Sequence, residues 1–416
     1  MKKLISIFIS ICLCVTSIFC CIGCNNEKPY VDTSNAVDPG AFERPNYAKE
    51  MEEQHDALGR EHIEIPVGVE IVTIDGEEYI PIDSLEYIGY EYNVNSNFIL
   101  TCDQTLNGFG EHSVPFKGKL HGNNYKIHGT INPPLFKTVS EGEICNLIFS
   151  ADLQFGYRDY LNPCILSDYV WNSRIYNIMN YAGTWQKIDG ITGMFYNSSI
   201  SDCENYADLN ACSGAIVGTA FGDSKINNCK NYGHLSCGIF NVCVGGIVGD
   251  VLTDPSVLPV QTPNVKIRDC VNYGNLIGWR NVGGIVGWHD QYEGLYPQEV
   301  MQDYEFYPSY PDGYFRDSTI SNCQNFGNIY RTRTEDSFID VKNCFGGIAG
   351  IFPHIENCTN SGNIYGFESV DPEWNVRYIG GIAGAAVSVE NCDSNGSVEC
   401  SSLVQFTDDI CGYYIK

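Results

Sequence analysis

The chain has 416 residues, 44% of them hydrophobic and 12% aromatic, with 42 glycines and 27 tyrosines. That is enough apolar material for a sizeable core, and so much Gly and Tyr points to many short elements joined by turns rather than to long helices. Its 24 basic and 51 acidic side chains give a formal charge of −27, which argues against nucleic acid and anionic lipid as partners held by charge, because both carry the same sign.

The N-terminus reads as a targeting segment. Lys2 and Lys3 precede an uncharged apolar run from Leu4 to Gly23, the layout of a secretory signal. Cys24 follows Ile22-Gly23 and precedes polar Asn25-Asn26-Glu27-Lys28. This junction resembles the lipobox of bacterial lipoproteins, which implies that residues 1–23 are a signal peptide and that Cys24 is the lipidated first mature residue. Cys21 stands where that family usually has Leu. The competing reading is an uncleaved anchor, since a run of about 20 apolar residues spans a bilayer. Either way the expectation is a membrane-tethered protein outside the cytoplasm.

Residues 24–62 carry Pro29, Pro39, Gly40 and Pro45 without apolar periodicity, and they read as a flexible tether. Residues 63–140 read as an N-terminal capping region. They hold β-type runs at Ile65 to Thr73, Tyr79 to Ile82 and Asn97 to Thr101, and Asp83-Ser84 can cap one short helix through Leu85 to Ile88.

Residues 141–400 are dominated by an internal repeat. One phrase runs Ile226-Asn227-Asn228-Cys229-Lys230-Asn231-Tyr232-Gly233 and recurs from Ile200, Ile267, Ile320, Ile355 and, more loosely, Val389. A second phrase alternates with it, as in Gly245-Gly246-Ile247-Val248-Gly249 and its counterparts from Gly283, Gly346 and Gly380. Cys229, Asn231, Gly233 and Leu235 alternate and share one strand face. Ile226 is out of phase with them, so the chain must bend at Asn228. Asp202, Asp269, Asn322 and Asn357 stand at the same place, and Asn and Asp suit a left-handed bend. No single unit buries its own apolar face; stacked copies do, with like residues ~4.8 Å apart. The fold class expected is all-β, a right-handed parallel β-helix. A propeller is the main competitor, but its blades would be more even in length. Residues 401–416 read as a C-terminal cap or tail.

These phrases resemble the GLUG-type repeats of bacterial surface and secreted proteins, over roughly residues 79–398. Pro115-Phe116-Lys117-Gly118-Lys119-Leu120-His121-Gly122-Asn123 resembles the segment that precedes such repeats. The resemblance implies a β-helix, surface display and adhesion, and no catalytic residues.

Fifteen cysteines lie beyond Cys24. Aligned copies place Ile178 and Leu147 in the column of Cys203, Cys229, Cys270, Cys323, Cys358 and Cys392. That column is therefore an apolar core position which Cys fills as a small hydrophobe, rather than a disulfide or metal site. Cys237 with Cys243, and Cys400 with Cys411, remain possible pairs.

Motifs for nucleophilic hydrolases, zinc peptidases and phosphate loops are absent, and the only adjacent Asp pair, Asp408-Asp409, lies in the tail. No catalytic residue and no metal ligand is assigned; calcium is conceivable for the acidic loop, but the spacing matches no calcium loop. The candidate ligand-binding residues lie in the longer of two insertions near 250–265 and 288–317: Trp288, Tyr292, Tyr296, Tyr304, Tyr307, Tyr310 and Tyr314. Aromatic rings with polar tips suit a glycan or a protein surface; the alternative is a loop that packs them against the body. The expected function is a non-catalytic, lipid-anchored surface protein for adhesion or ligand binding. The alternatives are a carbohydrate-active β-helix enzyme of the lyase or hydrolase type, and a structural envelope spacer.

Overall fold

The computed structural model describes residues 47–415 apart from 66–67, 69, 90–93, 110–113, 133, 157–163, 188, 211, 238–242, 254–262, 279, 290–316, 332–342, 367–377 and 401–405. The chain winds into a right-handed parallel β-helix whose strands form sheets of 28, 7 and 5 members. One coil runs Val217–Phe221, Lys225–Asn227, Lys230–Asn231, Leu235–Ser236 and Cys243–Gly245 before the next begins at Val248–Val251.

Register follows the repeated phrases. Ile144, Ile175, Ile200, Ile226, Ile267, Ile320, Ile355 and Val389 form one continuous ladder. Leu147 pairs with Ile178, and the in-register flanks carry that column on through Cys203, Cys229, Cys270, Cys323, Cys358 and Cys392. The bend between the two ladders is left-handed in every copy: φ is +55° at Asp202, +49° at Asn228, +55° at Asp269, +54° at Asn322 and +54° at Asn357. Asn and Asp tolerate that region and no β-branched residue occupies it.

A third column is polar and buried. Each of Asn180, Asn205, Asn231, Asn272 and Asn325 donates from its Nδ2 to the Oδ1 of the next, ending at Asn360, at 2.8 Å throughout. From Asn205 onward the same Nδ2 also reaches the carbonyl two residues along its own chain at 2.9 Å. The amides satisfy one another, so they lie in the core without the cost of an unpaired polar group. The Gly-Gly phrase packs against them: Gly246, Gly284 and Gly347 each leave less space than a Cβ requires beside Asn272, Asn325 and Asn360.

The short helix of the capping region is a 3-10 turn, Leu85–Gly89, whose Leu85 and Ile88 close the first coil. An α-helix, α1 (Tyr47–Ala57), lies within the segment read as tether. It docks against the flank through Tyr47, Ala48 and Met51, which pack with Ile148, Tyr181 and Tyr206. Its buried Glu52 accepts hydrogen bonds from Ser150 Oγ at 3.2 Å and Ala151 N at 2.8 Å and pairs with Lys126 at 2.7 Å. The strand-like strap that follows is pinned by Asn123, which accepts from Ile63 N at 2.6 Å and donates to Ile63 O at 3.1 Å. So residues 47–63 are a strap, not free chain. The N-terminal end is further closed by Val72–Ile74, which pairs antiparallel with Glu77–Ile82. The tail is not a separate cap: Phe406–Asp408 and Cys411–Tyr414 add in parallel to the sheets as the last rungs.

Candidate functional site

The two long insertions leave from adjacent rungs, as expected from their phrases. Val251 pairs with His289 where they depart, and Lys266 with Thr319 where they return. Tyr292, Tyr296, Tyr304, Tyr307, Tyr310 and Tyr314 lie outside the described residues, as does Cys24. Trp288 is described. It is half-buried and packs against Cys344, Ile351, Tyr378 and Ala385 on the flank, so at the root of the loop the aromatic ring serves as packing.

His289 points the other way, into the lumen, with its ring edge-on to Phe352 at 5.2 Å. Neither ring nitrogen has a hydrogen-bond partner among the described residues. Burial, with a smaller contribution from His354, holds its pKa far below the histidine range, at about 3. It is a neutral side chain in an apolar column that elsewhere holds Val251 and Phe352.

The most prominent outward feature is a row of stacked rings that the sequence analysis missed. The residue after each of the first five ladder asparagines is aromatic, Tyr181, Tyr206, Tyr232, Tyr273 and Phe326, and Ser361 follows Asn360. Alternation turns these side chains outward, and register superposes them, with centroids 4.8, 4.6, 4.9 and 5.2 Å apart and planes within 12° of parallel. α1 covers the first part, its His55 lying edge-on to Tyr181 and Tyr206 at 5.9 and 5.3 Å. Beyond the helix the row emerges, and Tyr273 and Phe326 are 44% and 45% exposed. A Lys230–Glu204 ion pair at 2.9 Å and the Tyr206 hydroxyl, which donates to Glu204, flank the covered end. Burial and Glu204 both raise the Tyr206 pKa, so the phenol remains a donor. A second row, Trp171, Tyr196 and Phe221, stacks at 3.9 and 4.2 Å on another flank. The recurring Asn-aromatic pair, followed by Ala in the first two copies and Gly in the next three, is the signal for the first row.

One acidic cluster was also not apparent from sequence. Asp189 is buried, and its Oδ1 accepts from Ser213 N and Oγ, both at 2.9 Å. Burial lifts its pKa to about 6, with nearby Asp168 adding to the rise. Asp168 pairs with Lys137 at 2.9 Å and touches the Cys164 thiol at 3.5 Å. Both carboxylates are engaged by the protein, which accounts for them as corner fastenings.

The cysteine column is a row of hydrogen-bonded free thiols. All fourteen cysteines whose state is described are free, Cys237, Cys243 and Cys411 among them. In the ladder each thiol donates to the carbonyl two residues earlier, as Cys270 does to Arg268 O at 3.1 Å, and Cys323, Cys358 and Cys392 also accept a backbone N–H from the preceding coil, as Cys323 does from Cys270 N at 3.5 Å. Sulfur thus satisfies a backbone N–H at the bend, a task that Ile and Leu cannot perform. Burial pushes the Cys229 and Cys323 thiols well up, whereas hydrogen bonds from Cys323 and Cys392 pull Cys358 down to about 4 and those from Cys229 and Cys323 outweigh burial at Cys270, so neighbouring thiols titrate as a linked row. No group of three or more His, Cys, Asp or Glu side chains suited to a metal ion occurs among the described residues. Searches against protein-family models and against curated proteins find no match for this chain.

Proposed function

We propose that the protein is a non-catalytic, membrane-tethered binding module displayed outside the cytoplasm, and that its β-helix presents aromatic rows to glycans. The observation that carries this reading is the emergent end of the stacked row, where Tyr273 and Phe326 stand exposed on a rigid sheet. Exposed large aromatics are costly unless something covers them, and ring edges beside hydroxyls match the mixed apolar and polar character of sugars. The Lys2-Lys3 run, the apolar segment and Cys24 support lipid anchoring, and the phrases resembling GLUG-type repeats support surface display. The aromatic insertion from Trp288 through Tyr314 would contribute a second contact region on this reading.

The test is a glycan array probed with the wild-type chain and with the Tyr273→Ser/Phe326→Ser double variant. These side chains are exposed, so the fold should survive, which circular dichroism checks. Binding should fall at least about tenfold, the effect of losing ~1.4 kcal/mol of ring contact. Equal binding by the two proteins removes the row from consideration. Replacing 289–316 by a Gly/Ser linker tests the loop in the same assay. Palmitate labelling of wild type against Cys24→Ser tests the anchor.

A carbohydrate-active enzyme is the second reading, favoured by one observation: the neighbouring carboxylates Asp168 and Asp189, one with a raised pKa. Such pairs can cleave glycosides when they face a groove. Incubation with pectins, alginates and glycosaminoglycans, with Asp168→Asn as control, separates it: new reducing or unsaturated ends that vanish in the variant support an enzyme.

A further inference from the structure

The two ends of the β-helix are finished differently. At the N-terminal end the first coil is closed by the antiparallel Val72–Ile74 strand and by the Leu85–Gly89 turn. At the other end the last coil consists of Ser388 to Glu390, Asp393–Ser394, Val398–Cys400, Phe406–Asp408 and Cys411–Tyr414. Each of these pairs with the preceding coil alone among the described residues. Its inward residues reflect this. Ile355, Cys358 and Ile364 are buried, whereas their successors Val389, Cys392 and Val398 are half-exposed. Ser394, which takes the place of the ladder asparagine, has a hydroxyl without a partner among the described residues. An unpaired row of backbone N–H and C=O groups beside half-covered apolar residues is a template for one more strand.

We infer that this open coil is a docking edge for an extended polypeptide segment rich in lysine or arginine. Charge selects the occupant. Residues 378–415 contain Glu390, Asp393, Glu399, Asp408 and Asp409 and no Lys, Arg or His, and Arg377 and Lys416 at the two borders leave five acids against two cations. All five carboxylates are exposed, and none forms an ion pair with a described residue. A second copy of the chain would bring these acids against themselves on a molecule already at −27, and like charges directly opposed across strands repel. A strand with basic residues on alternate positions would meet the acids with its charges, while its backbone continues the ladder.

The experiment uses the full chain and a short fluorescent peptide of alternating lysine and valine, followed by anisotropy. A glutamate–valine peptide controls for charge, and a lysine–valine peptide methylated on alternate amides controls for the ladder. The expected result is saturable binding of the first peptide, at least tenfold weaker binding of both controls, and a similar loss for Asp393→Asn/Glu399→Gln, whose exposed positions leave the fold intact. Hydrogen exchange should slow at the amides of 393–414 on binding. Undiminished binding of the methylated peptide would reduce the contact to bulk charge and overturn the proposal. So would absence of binding, or a chain that sediments as a dimer through this end. Peptide binding unaltered by Tyr273→Ser/Phe326→Ser keeps this edge distinct from the glycan reading.

Discussion

Gly246 faces Asn272 so closely that a Cβ at residue 246 would lie 2.5 Å from the Asn272 carboxamide carbon and 2.1 Å from the Gly284 carbonyl oxygen. The two repeated phrases therefore specify each other: one supplies a row of buried amides, and the other supplies the residue with no side chain that lets the opposite wall approach them. The relationship repeats one coil on, where Gly284 meets Asn325. Gly284→Ala is expected to destabilise the protein by about 1–3 kcal/mol through overpacking. Gly183→Ala is the control, because its Cβ would meet nothing nearer than 3.4 Å; its effect should stay within about 0.5 kcal/mol. Urea unfolding of the two variants measures the difference.

The amide ladder makes a second expectation. Asn231 accepts from Asn205 and donates to Asn272 and to Gly233 O. Asn231→Ala leaves one N–H of the Asn205 amide, the Asn272 Oδ1 and the Gly233 carbonyl without their partner in a dry interior, at about 1–3 kcal/mol for each group left unpaired. Asn360→Ser should cost less, since the next rung already carries Ser394 and only one neighbouring amide is disturbed. The order of midpoints in denaturant titrations checks this, and equal losses at the two positions would contradict the ladder.

Acid should loosen the coil at the root of the long insertion. His289 takes up a proton near pH 6.5 when unfolded, but in the folded chain burial delays this to about 3. Its contribution is unchanged above pH 6.5 and is progressively lost as pH falls toward 3, because the unfolded state binds the proton first. His289→Leu should match wild type at pH 8 and melt at a higher temperature at pH 5. Asp189 acts in the opposite sense: its folded pKa of about 6 exceeds the ordinary carboxylate value, so its burdened charge is relieved as pH falls through 6. Asp189→Asn should therefore raise the melting temperature at pH 8 and change it little at pH 4. Thermal melts of the two variants across this range read both signs.

Thiol accessibility separates the ladder from a disulfide framework. Cys102 and Cys392 are half-exposed, while the other described cysteines are buried. A thiol reagent should modify Cys102 in the native chain, Cys392 more slowly because its hydrogen bond with Cys358 and burial raise its pKa, and the other described cysteines only after unfolding. Few reactive thiols in the unfolded, unreduced protein would mean that the cysteines are paired.

Much of this architecture was legible because a β-helix writes its columns into the sequence. The out-of-phase Ile226 and Cys229 required a bend at Asn228, and φ there is +49°. Leu147 and Ile178 in the cysteine column marked an interior position, and both are fully buried. α1 was not legible, because its docking rests on Tyr47, Ala48 and Met51 together with a buried ion pair between Glu52 and Lys126, and it leaves no apolar stripe. The aromatic row is written in the sequence, but as single rings a coil or more apart, which stand out less than the dense cluster of rings in the insertion. Asp168 and Asp189 belong to different coils, and only the winding makes them neighbours.

The asparagine chain also bears on how long such a molecule can be. Every amide hands its hydrogen bond in the same sense, from Asn180 toward Asn360, so any interior coil presents an acceptor on one side and a donor on the other. Removing a coil, or duplicating one, rejoins like with like and leaves no amide stranded. Length along the axis is therefore a freely adjustable dimension, and the span of the β-helix can be altered by whole coils without redesigning either end.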